Sequence, residues 1–288
     1  MNNRWDFQLD DLRTADNLRQ PFYRLNGRID FLTAKRDVYK RQVQACAKEG
    51  AIVYMAARNL ERASQRTEEL NAMGYRVRTV YNDATDLESY RTMIEEVVKL
   101  EGRIDVLVNN FGTSDPKTDL DIEHTRWEDF QATVDINLAS VFVSSQAVIP
   151  HMKKQGGGSI VNISSIGGLT PDIARIGYAV SKDAIIYLSK NIAVQTARSN
   201  IRVNVVCPGQ TATDAVMNNM SKEFQDFFLR HTPIQRMGKP EEIAAAVVYF
   251  ASDDAAYTTG QVMAVHGGFG LPTPVYADMI DLSADRKH

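Results

Sequence analysis

Cysteine is scarce in this sequence, and neither sign of charge is in large excess. Two cysteines, Cys46 and Cys207, cannot form a disulfide framework, and no paired cysteine or histidine spacing suggests zinc. The 33 basic and 36 acidic residues leave a net charge of −3, which provides no general attraction to nucleic acid or to anionic lipid. We therefore expect no metal site, no nucleic-acid partner and no membrane partner.

Long apolar runs are missing too. The longest, residues 244–251, is less than half of a membrane span, and the N-terminus has no apolar signal-peptide core. Residues 1–24 are polar, acidic and basic by turns and are predicted to form an extension before a single domain at 25–288. With 44% hydrophobic and 24% charged residues, the chain is expected to be a soluble cytoplasmic protein.

Short β-rich runs alternate with longer amphipathic stretches after the extension. The predicted strands are residues 29–32, 52–56, 76–81, 106–109, 159–163, 202–206 and 262–265. The helical patterns lie near 40–49, 59–73, 86–100, 126–152, 177–199 and 240–251. The strands are nearly continuous apolar runs, which is typical of parallel strands buried on both faces. We predict an α/β fold, one doubly wound Rossmann-type domain with a mostly parallel seven-stranded sheet and ligands beyond the carboxyl ends of its strands.

A tyrosine and a lysine share one face of a predicted helix. Tyr178 and Lys182 stand four residues apart, and a nearby ammonium group lowers the pKa of a tyrosine, which is ordinarily near 10. A tyrosine so tuned gives a proton to a carbonyl oxygen or takes one from an alcohol. Ser165 stands thirteen residues before Tyr178, at the end of a predicted strand, where its hydroxyl can hold the same substrate oxygen. The plain alternative is a surface tyrosine–lysine pair.

Further motifs accompany this pair in order along the chain. They are Asn109-Asn110-Phe111-Gly112, Asp135-Ile136-Asn137-Leu138, and the segments 201–209, 233–243 and 260–268. Over about residues 25–270 the chain resembles the short-chain dehydrogenase/reductase family. The resemblance implies a tetrad in which Tyr178 is the acid/base, Ser165 polarises the substrate oxygen, Lys182 also holds the nicotinamide ribose, and Asn137 anchors a relay water. The alternative for Asn137 is a buried helix asparagine bonded to backbone.

The resemblance also implies a nicotinamide cofactor, whose form is selected where the second strand ends. An acidic residue there binds the ribose of NAD, whereas an arginine accommodates the 2′-phosphate of NADP. Ala57 stands at the position of the acid and Arg58 follows it, so we predict NADP; the alternative for Arg58 is an exposed charge at a helix start. Further cofactor contacts implied by the family are Asp83, Ala84, Asn110, Gly112, Tyr178, Lys182, Thr211 and Thr213.

The first turn departs from the family. Where the family has Thr-Gly-x-x-x-Gly-x-Gly, residues 33–42 contain no glycine, and the segment 33–50 is one residue short. Three explanations stay open. The turn binds phosphate through Lys35, Arg36, Lys40 and Arg41, or the protein is a degenerate member that binds cofactor poorly, or the segment does not represent the natural gene. Asp30, inside an apolar strand, adds to the anomaly because a buried carboxylate is costly.

Substrate specificity is expected in loops beyond the strand ends, at residues 113–119, 166–177 and 210–233. The last loop carries Met217, Met220, Phe224, Phe227 and Phe228, which are suited to cover a bulky substrate or simply to pack a helix.

A finer resemblance, over residues 157–164, 171–176, 220–230 and 267–274, is to a subgroup of the family, the clostridial NADP-dependent 7α-hydroxysteroid dehydrogenases. It implies interconversion of 7α-hydroxy and 7-oxo bile acids, with Arg175 or Lys117 near the substrate carboxylate. The alternatives are a reductase of another ketone, such as a 3-oxoacyl thioester, and a degenerate binding protein. Family members are commonly tetramers, so a homotetramer with the helices near 126–152 and 177–199 at one interface is expected.

Overall fold

Seven parallel strands form one sheet at the centre of the molecule. The computed structural model describes residues 29–33, 38–213, 216–217, 221–272 and 275–285. The predicted extension at 1–24, Lys35 and Arg36 of the first turn, and Met220 lie outside these ranges, and for Asp30 only the backbone is described.

The strands follow the order β3-β2-β1-β4-β5-β6-β7, and every neighbouring pair is parallel. They are β1 (Ile29–Thr33), β2 (Ile52–Ala57), β3 (Arg76–Tyr81), β4 (Val106–Asn109), β5 (Gly158–Ile163), β6 (Ile201–Pro208) and β7 (Val262–Val265). The direction of winding reverses between β1 and β4, which is where doubly wound sheets open a ligand crevice. The predicted fold class and all the predicted strands are confirmed, and the sheet is wholly parallel.

Helices connect the strands on both faces of the sheet. They are α1 (Val38–Lys48), α2 (Leu60–Ala72), α3 (Leu87–Glu101), α4 (Trp127–Lys154), α5 (Ile176–Thr196), α6 (Lys222–Arg230), α7 (Pro240–Ala251) and α8 (Tyr276–Asp285). Local signals set several of their ends: the side chains of Asn59 and Asp86 accept hydrogen bonds from the first turns of α2 and α3. The pattern along the sequence did not predict α6 and α8.

Apolar side chains fill both faces of the sheet. On one face Val53, Val106 and Val161 pack in a cluster with residues of α1 and α7. On the other face the strand residues Leu107 and Ile160 pack with residues of α3, α4 and α5. Because successive side chains of a strand alternate between faces, both layers need apolar residues, which explains the continuous apolar runs of the sequence. The sheet thus holds its strand ends as a rigid platform.

Among the described residues, helix α4 is long and apolar. By length and composition alone, α4 could cross a bilayer. The search of the sequence for uninterrupted apolar runs, of which 244–251 is the longest, did not indicate this helix. Within the domain, α4 packs against α3 and α5. It buries Asn137, Ser140 and Ser144, whose side chains hydrogen-bond to neighbouring strand, loop and helix atoms. Burial of this kind is that of a helix in a protein core.

Candidate active site

Tyr178 and Lys182 lie in the first two turns of α5, beside the carboxyl end of β5. Lys182 is 2% exposed, and its Nζ donates a hydrogen bond to the carbonyl oxygen of Ile163, the last residue of β5, at 2.9 Å. The same Nζ lies 5.6 Å from the centroid of the Tyr178 ring. A surface pair does not fit these positions, because the lysine is buried and anchored to the sheet.

Ser165 borders the same space as Tyr178. A methyl group built on Gly167 would lie 3.6 Å from Ser165 Oγ and 4.0 Å from Cε1 of the Tyr178 ring. Ser165 caps a short 3₁₀ turn at Ile166–Gly168, where its Oγ accepts a hydrogen bond from the Gly167 amide at 3.1 Å. This bond leaves the hydroxyl proton of Ser165 available as a donor toward a ligand oxygen.

Asn137 joins α4 to the loop that follows β4. Its side chain is fully buried, accepts from the Thr113 amide at 2.8 Å and donates to the Thr113 carbonyl at 2.9 Å. It also donates to Ser181 Oγ at 2.9 Å. These are the contacts expected of a buried helix asparagine bonded to backbone, and a role in a proton relay stays a prediction.

Gly112 leaves room for the lysine. A methyl group built there would lie 2.6 Å from Lys182 Nζ and 3.9 Å from Asn137 Oδ1. Any side chain at this position would therefore displace the ammonium group. The structure thus brings together Gly112, Asn137, Ser165, Tyr178 and Lys182 from four separate stretches of the chain.

Burial and charge act on the ionisable groups of this cluster. Burial lowers the pKa of Lys182, the positive charge of Arg175 acts in the same direction, and Tyr178 and Cys207 oppose the effect. The Arg175 guanidinium lies 4.3 Å from the centroid of the Tyr178 ring. Burial raises the pKa of the Cys207 thiol to about 11, so this cysteine stays protonated at neutral pH.

Arg58, predicted to select the form of the cofactor, and Asp83, predicted as a further cofactor contact, lie together at the ends of β2 and β3. Arg58 Nη1 lies 4.0 Å from Asp83 Oδ2, and 67% of the arginine side chain is exposed. Asp83 Oδ1 accepts hydrogen bonds from the amide and the hydroxyl of Thr85. Arg58 therefore projects from the rim of the crevice, a place that suits either a phosphate contact or the alternative of an exposed charge at a helix start.

The start of α1 faces the end of β4. Gln42 is fully buried and donates to Asn110 Oδ1 at 3.2 Å, while its own Oε1 finds no hydrogen-bond partner among the described residues. Arg41, a basic residue that one explanation assigns to phosphate binding, is instead paired with Glu241 at 2.9 Å.

The two predicted threonines beyond β6 use their hydroxyls locally. Thr211 Oγ1 donates to the Gly209 carbonyl at 3.0 Å, and Thr213 Oγ1 accepts from the Val216 amide at 3.2 Å. Their side chains are buried, so a cofactor contact at these positions needs a change of partners or comes from their backbones.

The phenylalanines of α6 fall into two groups, exposed and packed. Phe224 and Phe227 of α6 are exposed, whereas the Phe228 ring stacks on Phe269 with centroids 4.3 Å apart. The first two are available to cover a ligand, and Phe228 has the packing role of the alternative interpretation.

Asp119, the last residue of the predicted substrate loop at 113–119, has a structural contact that the sequence analysis did not predict. It is 1% exposed and accepts hydrogen bonds from the amides of Gly177 and Tyr178 at 2.7 and 3.0 Å. The sequence signal for this role is indirect: the residues that start α5, Arg175 and Ile176, are poor N-caps, so a partner from elsewhere was needed.

Comparison with known proteins identifies the family of this chain. A family model described as enoyl-(acyl carrier protein) reductase, of the short-chain alcohol dehydrogenase group, matches residues 40–270. The chain belongs to the short-chain dehydrogenase/reductase family. It is 46% identical to the 7α-hydroxysteroid dehydrogenase of Clostridium sardiniense over 256 residues, which are 88% of this chain and 98% of that protein.

Solved structures of the family agree in fold and in type of cofactor. One is a 7α-hydroxysteroid dehydrogenase complexed with NADH and 7-oxo glycochenodeoxycholic acid, with a TM-score of 0.80, 31% identity and coverage of 85% of this chain and 95% of that one. Another is a gluconate 5-dehydrogenase from Burkholderia cenocepacia in complex with NADP and tartrate, with a TM-score of 0.81, 28% identity and coverage of 87% and 98%. The family uses nicotinamide cofactors, and this chain is an oxidoreductase of that family.

Proposed function

We propose that this oxidoreductase uses NADP(H) to interconvert 7α-hydroxy and 7-oxo bile acids in the cytoplasm. The observation that carries the proposal is the cluster of Ser165, Tyr178 and a buried Lys182, on a chain 46% identical to a 7α-hydroxysteroid dehydrogenase over nearly its whole length.

The described residues fit a nicotinamide dinucleotide. Lys182 has three donors and spends one on the Ile163 carbonyl, which leaves donors for ribose hydroxyls. Gly112 keeps the space beside that ammonium group open, and the unpartnered Oε1 of Gln42 offers a buried acceptor next to Asn110. Arg58, exposed at the rim, supports NADP because its planar guanidinium suits a phosphate. The remaining contacts are proposed at Asp83, Ala84, Thr211 and Thr213.

Proton transfer falls to the residues of the cluster. Ser165 Oγ donates to the substrate oxygen and fixes its position, and the Tyr178 hydroxyl removes the proton of the alcohol or returns it to the ketone. The charge of Lys182 stabilises the tyrosine when it has lost its proton. A nicotinamide held beside Lys182 would supply the hydride to the ketone carbon, or accept it from the alcohol carbon.

A cationic side chain near Tyr178 supports an anionic substrate. Arg175 is exposed and lies over the Tyr178 ring, and Lys117 is exposed in the loop after β4. We propose that one of them contacts the bile-acid carboxylate, while Phe224 and Phe227 of α6 cover the steroid. Replacement of Arg175 or of Lys117 by a neutral residue should then raise the KM for a bile acid relative to the KM for its methyl ester. If the ratio of these two KM values is unchanged in both variants, the contact is rejected.

A substrate panel tests the function. Purified protein with NADP is expected to oxidise chenodeoxycholate and cholate, which carry a 7α-hydroxyl, but not ursodeoxycholate, whose hydroxyl is 7β. The family description names an acyl carrier protein substrate, so acetoacetyl-CoA with NADPH belongs in the same panel. Turnover of that thioester alone would replace the steroid proposal by a 3-oxoacyl reductase.

We propose in addition that copies of the chain associate through α4 and α5. Apolar side chains on the outer faces of these helices are exposed, among them Phe142, Tyr187 and Val194, and the groove beside them has a volume of about 1020 Å³. Exposed apolar side chains that lie together mark sites of protein–protein contact. Light scattering should report a tetramer for the protein and smaller species for Tyr187→Glu, and a monomeric parent protein would refute the assembly.

A further inference from the structure

The first turn of α5, which carries Tyr178, lacks a cap of its own. Its N-cap residue, Arg175, has a left-handed backbone with φ of 60° and ψ of 46°, and its side chain makes no capping hydrogen bond. Helices ordinarily begin after an extended Ser, Thr, Asp or Asn whose side chain accepts a first-turn amide. The amides at the start of a helix remain costly if they are buried without partners.

A segment more than fifty residues away supplies the missing acceptors. The Leu120 carbonyl accepts from the Ile176 amide at 3.1 Å. Asp119 takes the next two amides, with Oδ1 bound to Gly177 and Oδ2 bound to Tyr178. Oδ2 also accepts from Ser114 Oγ at 2.8 Å. The first intrahelical bond runs from the Ala179 amide to the Arg175 carbonyl at 2.9 Å, so every amide of the turn has a partner.

Gly177 permits this approach. A methyl group built on it would lie 3.2 Å from Asp119 Oδ1 and 3.1 Å from Thr133 Cβ of α4, both tighter than ordinary contact. A carboxylate placed at a helix N-terminus also interacts favourably with the helix dipole. The contact is therefore close and charge-assisted, and it is shielded from solvent because Asp119 is 1% exposed.

The capping segment also reaches the rest of the cluster. It begins at Gly112, which abuts Lys182 Nζ, and continues through Thr113, whose backbone is held by Asn137. One short stretch of chain, 112–120, thus joins the end of β4 to the ammonium group, to α4 and to the start of the catalytic helix.

We infer that Asp119 is a positioning residue for Tyr178: it fixes the backbone of the acid/base tyrosine against the end of β4 without touching substrate. The inference rests on the proposed function for its kinetic consequence. A small displacement of a reacting group lowers the rate of the chemical step strongly while leaving ligand binding nearly intact.

Asp119→Asn tests this with little change in volume, because the amide places a donor against one of the two backbone N–H groups. We expect kcat to fall by about 10- to 100-fold, with KM and the Kd for NADPH changed less than about threefold. Hydrogen–deuterium exchange of a peptide covering 176–180 should accelerate at least about tenfold. Asp121→Asn removes the same charge two residues away, where the carboxylate binds only His124 and the amide of Glu123 among the described residues, and should change neither measurement.

Hydrogen–deuterium exchange and enzyme kinetics test the inference independently of each other. If the wild-type protein does not turn over bile acids, the exchange measurement still decides whether Asp119 holds the start of α5, and unchanged exchange overturns the inference. Unchanged kcat in an active protein overturns it as well, as does a parallel loss of kcat, NADPH affinity and thermal stability, which would mark a general structural role. Should Asp119→Asn not fold, Gly177→Ala disturbs the same contact from the helix side and is expected to show the same split between kcat and KM.

Discussion

The region around Lys182 and the turn after β1 differ in how closely their sequences match the motifs of the family. Around Lys182, the chain has the motifs in order, and buried hydrogen bonds hold Asn137 and the lysine in place. At the first turn, residues 33–42 contain no glycine, and the family match begins only at residue 40. The difference teaches that the residues proposed for proton transfer and those expected to bind the pyrophosphate are separate parts of the structure, so one set can be intact while the other has changed.

This separation has a physical basis. In the proposed mechanism, proton transfer depends on groups at the end of β5 and on α5, which are held by the sheet and by the contacts of Asp119. Pyrophosphate binding depends on close approach of backbone at the start of α1, for which glycine is suited. Each part is therefore open to a substitution that leaves the other unaffected.

The largest effect on kcat is expected from a change in the cluster around Lys182. Tyr178→Phe removes the hydroxyl that we propose moves the proton, and it should lower kcat about 10²- to 10⁴-fold. The Kd for NADPH, measured by quenching of intrinsic fluorescence, should change far less than kcat, because Lys182, the proposed ribose contact, remains even if a contact of the tyrosine hydroxyl is lost. A variant that keeps substantial activity would assign the acid/base role to another residue.

The first turn offers the converse experiment. Restoring the Thr-Gly-x-x-x-Gly-x-Gly pattern from Thr33, with the one missing residue inserted, should lower the Kd for NADPH about tenfold or more, since a hydrogen bond to a charged group contributes about 1.5–3 kcal/mol. The kcat should change little. If the Kd does not improve, the present turn binds phosphate in its own manner through Lys35, Arg36 or Lys40. The pairing of Arg41 with Glu241 argues against a part for that arginine. If neither the parent nor the restored variant binds NADPH, the result supports the interpretation of the chain as a degenerate member of the family.

A smaller effect is expected where the cofactor form is selected. Arg58→Ala should lower the ratio of kcat/KM for NADP over that for NAD about tenfold, because the proposed contact between the exposed guanidinium and the 2′-phosphate would be lost. Arg62→Ala, an exposed arginine of α2, is the matched control. An unchanged ratio in the Arg58 variant would show that this side chain is merely an exposed charge at the helix start.

The sheet was predictable, since buried parallel strands leave uninterrupted apolar runs; β3, β4 and β7 begin and end where the sequence indicated. The short helix α6 was not predicted because its apolar residues also suited a substrate loop. The pairing of Tyr178 with Lys182 follows from helical spacing and was predictable, but the role of Asp119 was not. Its partners, Gly177 and Tyr178, are more than fifty residues away, and a lone aspartate in a loop carries no local sign of such a contact.

The smallest expected effect concerns stability rather than activity. Burial lowers the pKa of Lys182 below its ordinary value of 10.5, so the folded protein releases this proton at a lower pH than the unfolded chain does. Between those two pKa values the unfolded chain binds more protons, and the contribution of this group to stability rises with pH. Lys182→Met removes the buried charge and should be neutral to about 2 kcal/mol more stable than the parent at pH 6.

That advantage should shrink as the pH rises toward 10.5, because the parent protein sheds the costly charge while the variant has none to lose. Urea unfolding of both proteins at pH 6, 8 and 10 measures the trend, and Lys190→Met, an exposed lysine of the same helix, controls for the loss of one positive charge. A gap that widens with pH would mean that the ammonium group is stabilised by its place beside Ile163 and Gly112. The cluster around Lys182 would then stabilise the charged form of this lysine even without a cofactor. The region around Lys182 would in that case differ from the first turn in its contribution to stability as well as in its match to the family motifs.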